Sequence, residues 1–327
     1  MRIVDVAAAA GPGAGPDALQ VKQAPDPVPG PGELLVEVAA AGVNRADLLQ
    51  RQGHYPPPPG APAWPGLEAA GVVARVGGGL SGWAEGDRAA VLLAGGGYAE
   101  RVVVPAAQAL RVPDGLDLVA AAALPEALAT VWSNLEAAHA RAGEQLLVRG
   151  GSGGVGSAAV MVAAALGLRV LATAGGPERV ARVAGLGADV ALDHRADDLV
   201  EQVLEASGGG VDVVLDVLGA GALAANLRML ADDGRLVVIG MQQGRRGELD
   251  LGLLLAKRAA VIGTTLRARP PEQKAAIVAG VAEHVWPAVA DGRVRPVVHA
   301  TVPFDDAARA HRMLESGEVF GKVLLVP

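Results

Sequence analysis

The amino-acid sequence predicts an α/β fold in which a β-rich front region precedes a doubly wound parallel sheet of six strands. Short apolar runs separated by Gly and Pro clusters fill the chain up to about residue 120. Six apolar runs then alternate with helical patterns, and a glycine-rich turn joins the first of these runs to a helix. With 327 residues, the chain is long enough for two domains.

The front region is predicted to be a compact β-rich domain. Its expected strands are residues 3–6, 19–22, 33–38, 71–76, 88–93 and 98–104. Clusters of proline and glycine, such as 27–32 and 77–79, lie between them and are typical of turns.

The middle of the chain is predicted to form the parallel sheet. Its expected strands are residues 146–148, 169–173, 190–193, 211–216, 235–239 and 260–263, and near-continuous apolarity in 211–215 fits a strand covered on both faces. A tail follows with helices over 271–286 and 305–315 and strands over 297–301 and 322–326. Because this tail is too short to be a domain, we expect it to return to the first one. The predicted domains are 1–122 with 265–327, and 123–264.

The glycine-rich turn has the spacing of a dinucleotide-binding motif. Gly151, Gly153 and Gly156 match G-x-G-x-x-G directly after a strand and at the start of a helix. The first glycine allows a tight turn, the second allows backbone to approach a pyrophosphate, and the third allows close packing of helix on strand. The motif therefore predicts a Rossmann domain.

Two alternatives use the same residues. Residues 150–154 also satisfy G-x-S-x-G, a nucleophile elbow with Ser152 as nucleophile, for which Asp216 and one of three later histidines (His284, His299, His311) would complete a triad. The continuation into Val155 and Gly156 is explained by a phosphate turn and not by an elbow. The remaining alternative is a glycine-rich turn without a ligand.

Composition excludes several classes of function. The net charge of −7 argues against a nucleic-acid partner, which needs a basic face. The absence of cysteine excludes disulfides and thiolate metal sites, and the six histidines show no i, i+4 ligand pair. The alanine run at 7–10 is interrupted by Gly and Pro, which argues against a targeting signal. The uncharged run at 150–168 fits a buried turn and helix better than a membrane-spanning segment. We expect a soluble, cytoplasmic protein with no membrane partner.

The end of the second parallel strand bears on the choice of nicotinamide cofactor. NAD sites place an acid there for the ribose 2′-hydroxyl, whereas this chain has small residues including Gly176, followed by Arg179. This leaves room for a 2′-phosphate, although Glu178 is counter-evidence. We expect NADPH in preference to NADH.

Five short motifs indicate a family. They are A-G-V-N-R-A-D at 41–47, Q-G-H-Y at 52–55, G-L-E at 66–68, P-E-A at 125–127 and G-K-V at 321–323. Together they resemble the zinc-free NADPH:quinone oxidoreductases of the medium-chain dehydrogenase/reductase superfamily, in the branch of the zeta-crystallins and p53-inducible quinone reductases. The resemblance spans nearly the whole chain and implies a GroES-like substrate domain beside the Rossmann domain.

The resemblance also bears on metal chemistry. Zinc-dependent relatives carry a cysteine and a Gly-His-Glu segment that supply catalytic ligands, whereas this chain has no cysteine and has Leu67 at the imidazole position. We therefore expect no metal. The implied reaction is hydride transfer from nicotinamide C4 to a quinone in the interdomain cleft, since a quinone accepts hydride without a strong Lewis acid.

The resemblance implies roles for individual residues. Asn44 and Tyr55 are expected near the nicotinamide and the substrate, with Tyr55 donating a hydrogen bond. The structural alternatives are a turn-forming or strand-capping role for Asn44 and a lid role for Tyr55. The expected cofactor-binding residues are Thr130, Gly151, Gly153, Gly154, Val155, Gly156, Thr173, Gly176, Arg179, His194, Gly240, Met241, Thr264, Thr265, Leu266 and Lys322. Within this set, Thr130 has a buried structural role as its alternative, and His194 either stacks on adenine or ends a strand.

The sixth parallel strand would be an exposed edge, which in this superfamily pairs with its twin, so we expect a homodimer. Two other functions remain open. One is an NADPH-dependent alkenal, enone or enoyl-thioester reductase. The other is an NADPH-binding protein without turnover, as zeta-crystallins serve in lenses.

Overall fold

The computed structural model describes residues 1–7 and 10–327. Ala8 and Ala9, which belong to the alanine run at 7–10, lie outside the described residues. The chain forms two compact units. The first comprises residues 1–129, 267–286 and 296–327, and the second comprises residues 130–266 and 287–295.

The described residues form fifteen strands and eleven α-helices. The strands are β1 (Arg2–Val6), β2 (Leu19–Gln23), β3 (Glu33–Val43), β4 (Glu68–Val76), β5 (Arg88–Leu92), β6 (Arg101–Pro105), β7 (Ala109–Arg111), β8 (Gln145–Val148), β9 (Arg169–Ala174), β10 (Val190–Asp193), β11 (Val211–Asp216), β12 (Leu230–Val238), β13 (Ala260–Gly263), β14 (Val298–Pro303) and β15 (Lys322–Val326). The helices are α1 (Arg45–Arg51), α2 (Leu118–Ala121), α3 (Pro125–Ala137), α4 (Gly154–Ala165), α5 (Pro177–Ala184), α6 (Leu199–Ser207), α7 (Leu223–Met229), α8 (Leu251–Ala256), α9 (Pro271–Gly280), α10 (Trp286–Ala290) and α11 (Ala307–Glu315).

The first unit is built on a seven-stranded sheet. Its order is β14-β15-β3-β4-β5-β7, with β6 also paired to β3, and β1 and β2 form a separate hairpin. Strand β3 continues five residues beyond the predicted end at 38. Its second half is rich in alanine, which has weak strand propensity, but it pairs with β4 on one side and with β15 on the other.

Aliphatic side chains fill the core of the first unit. Val4, Leu34, Val104 and Leu325 are fully buried, and Tyr98 and Phe304 are the largest buried aromatic side chains. The low aromatic content of the chain, 2%, thus corresponds to a core of valine, leucine and alanine.

The second unit confirms the predicted parallel sheet. All six strands pair in parallel in the order β10-β9-β8-β11-β12-β13. The order reverses at β8, which lies between β9 and β11, and open α/β sheets bind ligands beyond the carboxyl ends of the strands at such a point. The glycine turn follows β8 directly.

Helix α4 accounts for the uncharged run at 150–168, since eight of its residues, 156–163, are buried. A different stretch, Leu118–Ala137, is long and apolar enough to cross a membrane by length and composition, but 67% of it is buried inside the fold. Such burial is typical of a core helix of a soluble protein.

Candidate cofactor and substrate sites

The glycine turn of the second unit is a tightly bonded loop. The N–H of Gly151 donates to the carbonyl of Thr173 at 2.7 Å, and the N–H of Gly150 donates to the Thr173 hydroxyl at 3.1 Å. Thr173 is buried at the end of β9, so it fixes the turn from the neighbouring strand. The sequence singled out Thr173 as a cofactor contact; the structure places its hydroxyl against the turn itself.

The glycines of this turn face different surroundings. A β-carbon at Gly156 would overlap the backbone carbonyl of Gly150, whereas one at Gly153 would have no neighbour closer than that same oxygen, at 3.8 Å. Gly153 is the N-cap of α4, and Gly154 and Val155 are its first two residues; all three are partly exposed. The first N–H groups of the helix lack intrahelical partners. The turn therefore offers open space and free N–H donors to an anion at a helix N-terminus.

A second pair of glycines lies at the end of β9. Gly176 has a φ of 82°, and its N–H donates to Oδ2 of Asp193 at 3.1 Å. A β-carbon at Gly175 would lie 2.9 Å from Cε1 of His194 and 3.2 Å from Nη2 of Arg195. Partial desolvation of its ring lowers the pKa of His194, which favours the neutral imidazole.

Arg195 is a candidate binding residue that the sequence reasoning missed. Its Nη1 would lie 3.2 Å from a β-carbon at Gly176, so its guanidinium flanks the two glycines where we expected a 2′-phosphate. Arg179, the residue chosen from the sequence, has no hydrogen bond or ion pair among the described residues and lies in the first turn of α5. The sequence could have indicated Arg195, because it follows the third parallel strand, whose carboxyl end lies at the same edge of the sheet as that of the second.

Thr130 and Thr264, both expected to contact the cofactor, are joined through Asn134. The Asn134 amide nitrogen donates to the Thr130 carbonyl at 2.7 Å, and the Thr264 hydroxyl donates to the Asn134 carbonyl oxygen at 2.6 Å. Asn134 is buried, one turn after Thr130 in α3. Asn134 therefore links the backbone of Thr130 to the side chain of Thr264.

The remaining predicted contacts of the second unit lie after β12 and β13. Gly240 packs closely, since a β-carbon there would lie 2.5 Å from the carbonyl oxygen of Val217. Met241 is 62% exposed, Thr265 is exposed and Leu266 is buried. Met241 and Thr265 therefore present side chains that a ligand could contact, while Leu266 packs within the fold.

Asn44 and Lys322 meet in the first unit around Glu68. The Lys322 ammonium donates to Oδ1 of Asn44 at 2.6 Å and forms an ion pair with Glu68. Nδ2 of Asn44 donates to Oε1 of Glu68 at 2.8 Å. All three side chains are buried, so the single negative charge of Glu68 is neutralised by the single positive charge of Lys322.

The backbone around this trio is adapted to it. A β-carbon at Gly42 would overlap the Glu68 carboxylate, so only glycine leaves room for it. The N–H of Asn44 donates to Asp47 at 2.8 Å, closing a capping box at the start of α1, and the N–H of Gly66 donates to the same carboxyl at 2.9 Å. Burial raises the pKa of Asp47 to about 6, opposed by those two N–H donors. Asn44 thus caps helix α1, which is neither a strand cap nor a turn, and it also bonds to Glu68 and Lys322.

Tyr55 lies against Arg267. The Arg267 guanidinium carbon is 5.2 Å from the Tyr55 ring centroid, and Nη1 donates to the Tyr55 carbonyl at 3.1 Å. Arg267 also donates to the Ala94 carbonyl at 2.7 Å and to Oε1 of Gln50 at 2.6 Å. The ring of Tyr55 is therefore held in place, while its hydroxyl has no hydrogen-bond partner among the described residues.

Two other kinds of site find little support. Within residues 1–7 and 10–327, no group of three His, Cys, Asp or Glu side chains is arranged to hold a metal. Of the residues considered for a hydrolytic triad, Asp216 accepts from the N–H groups of Leu218 and Gly219. His311 is fully buried between Arg51, 3.0 Å from its Nδ1, and the Tyr98 hydroxyl, 3.1 Å from its Nε2. Both groups are satisfied by their own neighbours.

Two family models match the chain. They are the alcohol dehydrogenase GroES-like domain over residues 30–114 and the zinc-binding dehydrogenase model over residues 154–281. The first covers strands β3 to β7 of the seven-stranded sheet, and the second covers strands β9 to β13 of the Rossmann sheet. The name of the second model refers to zinc, although this chain has no cysteine and has Leu67 before Glu68.

Individual relatives extend this result over almost the whole chain. The quinone oxidoreductase of Rattus norvegicus is 34% identical over 309 residues, which cover 92% of this chain and 91% of the rat protein. A segment making up 14% of the phthioceranic/hydroxyphthioceranic acid synthase of Mycobacterium tuberculosis is 36% identical over 303 residues. The quinone oxidoreductase of Thermus thermophilus, whose structure was also determined with NADPH, superimposes with a TM-score of 0.85 at 36% identity, over the full length of both chains. These matches confirm the resemblance drawn from the motifs: the chain belongs to the quinone oxidoreductase family of the medium-chain dehydrogenase/reductase superfamily.

Proposed function

We propose that this protein is a zinc-independent, NADPH-dependent quinone oxidoreductase. The observation that supports this most directly is the ion pair between Lys322 and Glu68, with Asn44 bonded to both. Glu68 belongs to the segment that supplies catalytic ligands in zinc-dependent relatives, and here an ammonium already neutralises it. Without a Lewis acid to polarise a carbonyl, the acceptor must itself be electrophilic, as a quinone is.

The second unit has the features needed to hold the cofactor. The N–H groups at the start of α4 and the space at Gly153 suit a pyrophosphate, and the guanidinium of Arg195 beside Gly176 suits a 2′-phosphate. The NADPH complex of the Thermus thermophilus relative supports the same choice. When bound, NADPH supplies the hydride from C4 of its nicotinamide.

In this proposal the residues of the chain orient the reactants and form no covalent intermediate. Asn134 fixes Thr130 relative to Thr264, and Arg267 fixes the Tyr55 ring. The Tyr55 hydroxyl, which has no partner among the described residues, is free to donate to an oxygen of the acceptor. Burial raises the pKa of Tyr55, so the hydroxyl stays protonated at neutral pH and remains a donor.

An alkenal, enone or enoyl-thioester reductase is the second candidate. The match to a segment of an acid synthase favours it, since a similar sequence occurs within an enzyme named for making an acid. Hydride transfer to an activated C=C needs the same cofactor and likewise no metal. A protein that binds NADPH without turnover is the remaining candidate.

Parallel assays of NADPH and NADH oxidation by a small para-quinone, with EDTA present, test the proposal. We expect rapid oxidation of NADPH, undiminished by the chelator, and slower oxidation of NADH. Loss of activity on chelation would overturn the zinc-free chemistry. Equal rates with the two cofactors would mean that no guanidinium binds the 2′-phosphate of NADPH.

The same assay separates the alternatives. If the quinone is not reduced but an enone or a crotonyl thioester is, the quinone assignment is wrong and the reductase alternative holds. If NADPH binds and no acceptor is reduced, the protein is a binder without turnover.

We propose a homodimer that forms through the edge of the Rossmann sheet. Among the residues that the structure describes, strand β13 pairs with β12 alone, and its Val261 is 42% exposed. Helix α8 presents Leu251 and Leu255 at 62% and 76% exposure. An unpaired edge together with exposed leucines in the same unit suits a second copy of the chain.

We also propose that the protein is soluble and cytoplasmic. The absence of cysteine suits a reducing compartment, and the apolar stretch Leu118–Ala137 is mostly buried. Recovery of the protein in the membrane fraction after cell lysis would contradict this location.

A further inference from the structure

Glu126, the central residue of the P-E-A motif, has no role in the site described so far. It is the second residue of α3, and its backbone N–H donates to Oε2 of Glu68 at 2.9 Å. Its own carboxyl group forms no hydrogen bond and no ion pair with any residue in the described part of the chain. The residue as a whole is partly exposed, although its carboxyl group is largely surrounded by protein.

The cations near Glu126 are engaged elsewhere. Lys322 is paired with Glu68 and bonded to Asn44. Arg267 donates to two backbone carbonyls and to Gln50. Neither of these two positive charges is therefore available to pair directly with an ionised Glu126. The carboxyl groups of Glu68 and Asp47 lie close enough to Glu126 to oppose its ionisation.

The neutral acid is the form that these surroundings favour. Burial raises the pKa of Glu126 to about 8, and the charge of Glu68 acts in the same direction, against the opposing effect of Lys322. The N-terminal end of α3 acts in the opposite direction, since a helix N-terminus favours an anion. At neutral pH, Glu126 therefore holds a proton that it is able to release.

Two further titratable groups face Glu126. Lys274 on α9 is 6% exposed, and its ammonium has no hydrogen bond or ion pair among the described residues; burial lowers its pKa, and the Glu126 charge opposes that shift. The charge of Glu126 also contributes to raising the pKa of Tyr55. Glu126 thus lies within electrostatic reach of both the predicted substrate-binding hydroxyl and a buried amine that lacks a partner.

The proposed reaction consumes one proton. Transfer of a hydride to a quinone leaves one oxygen of the reduced ring as an anion, which becomes a hydroquinone when that oxygen is protonated. Glu126 precedes Thr130 by four residues, and Thr130 is the position for which the family resemblance implies contact with the nicotinamide.

We propose that Glu126 is the proton source for the reduced acceptor. This inference rests on the proposed function and extends it. The O–H bond of the Glu126 carboxylic acid breaks as an O–H bond to the reduced quinone forms, and the resulting carboxylate is stabilised by the neighbouring Lys274 ammonium until water reprotonates it. The hydride and its two electrons come from NADPH, so the overall reaction takes up one proton from solvent.

Replacement of Glu126 by glutamine tests this role, because it keeps the shape and removes the proton. We expect E126Q to lower kcat with the quinone about 100-fold, a typical effect of removing a general acid. In the wild type, kcat should fall as the pH rises through about 8, the pKa of Glu126. In E126Q this fall should be absent, and E126D should retain it. NADPH affinity, measured by nicotinamide fluorescence, should be the same in wild type and E126Q.

The matched control is E136Q, which removes an exposed carboxyl from the same helix and should change neither the rate nor the pH profile. Infrared difference spectra of wild type and E126D follow the carboxylic acid C=O band directly and do not depend on turnover or on the folding of E126Q. If the wild type is active and E126Q has the same rate and pH profile, the inference is overturned and the proposed function is not. The same holds if the carboxylic acid C=O band of Glu126 disappears well below pH 7. A wild type that reduces no acceptor would overturn the proposed function and this inference with it.

Discussion

The ammonium of Lys322 donates to Oδ1 of Asn44 across 278 residues of chain, with 2.6 Å between the two atoms. The pairing of β15 with β3, in which Val323 lies opposite Val43, brings the two side chains together. Both residues were expected at the site, one as a cofactor contact and one as a catalytic residue, but the sequence did not indicate that they bond to each other.

Removal of this ammonium should destabilise the protein strongly. The substitution Lys322→Met leaves the buried Glu68 carboxylate without its counter-ion, and the loss of one partner of a buried ion pair costs about 3–5 kcal/mol. The free energy of unfolding in urea measures the effect. The double variant E68Q/K322M, which removes both charges, should recover most of the loss. A single variant as stable as the wild type would show that the pair has no structural importance.

The two glycines of the turn should respond differently to alanine. A methyl group at Gly156 overlaps the Gly150 carbonyl, so Gly156→Ala should destabilise the fold and lower the melting temperature. Gly153 has a φ of −78° and open space around it, so Gly153→Ala should fold normally. Since that open space is where we place the pyrophosphate, Gly153→Ala should weaken NADPH binding at least 10-fold, by about 1.4 kcal/mol. Titration of both variants with NADPH, beside thermal melts, checks the contrast, and unimpaired binding by Gly153→Ala would contradict the placement.

Arg195 should determine the preference for NADPH over NADH. Loss of a hydrogen bond to a charged group costs about 1.5–3 kcal/mol, so Arg195→Ala should raise KM for NADPH about 10- to 100-fold and leave KM for NADH unchanged. Arg179→Ala is the matched comparison. If the larger effect falls on Arg179, the assignment made from the sequence is the right one and that made from the geometry is wrong.

The stability of the protein should depend on pH through Glu126. Its pKa in the fold is about 8, above the ordinary value of 4.5, so the folded chain binds a proton that the unfolded chain has already lost between these pH values. Stability therefore falls as the pH rises through this window and levels off above it. We expect E126Q to gain melting temperature relative to wild type as the pH is raised from about 5 to about 9. The buried Asp47, with its pKa raised to about 6, is common to both proteins and cancels in this comparison. A constant difference across the range would contradict the raised pKa.

Charges placed at the Rossmann edge should dissociate the proposed dimer. Val261→Lys combined with Leu255→Glu introduces two charges where an edge strand and an apolar helix face would be covered. Light scattering should then give the mass of one chain for this variant and of two for the wild type. Val28→Lys, at an exposed valine of the first unit, is the control. A wild type with the mass of one chain would refute the proposal directly.

The sequence by itself determined the fold class, the six parallel strands and the glycine turn. These features are local: the apolar runs and the G-x-G-x-x-G spacing are each formed by residues close together in the sequence, and their structural meaning follows from backbone geometry. It was less informative where a segment has no strong propensity of its own. The alanine-rich second half of β3 is a strand only because β4 and β15 supply its hydrogen bonds.

The tertiary structure alone decided which charged groups meet. It placed Lys322 on Glu68, Arg195 beside Gly175 and Gly176, and Asn134 between two threonines. Within the described part of the chain, it also left the carboxyl of Glu126 unpaired, near two cations that bond to other groups. The physical reason is that the electrostatic energy of a side chain depends on distances and on exclusion of water, and both are set by strand register and packing between residues far apart in the chain.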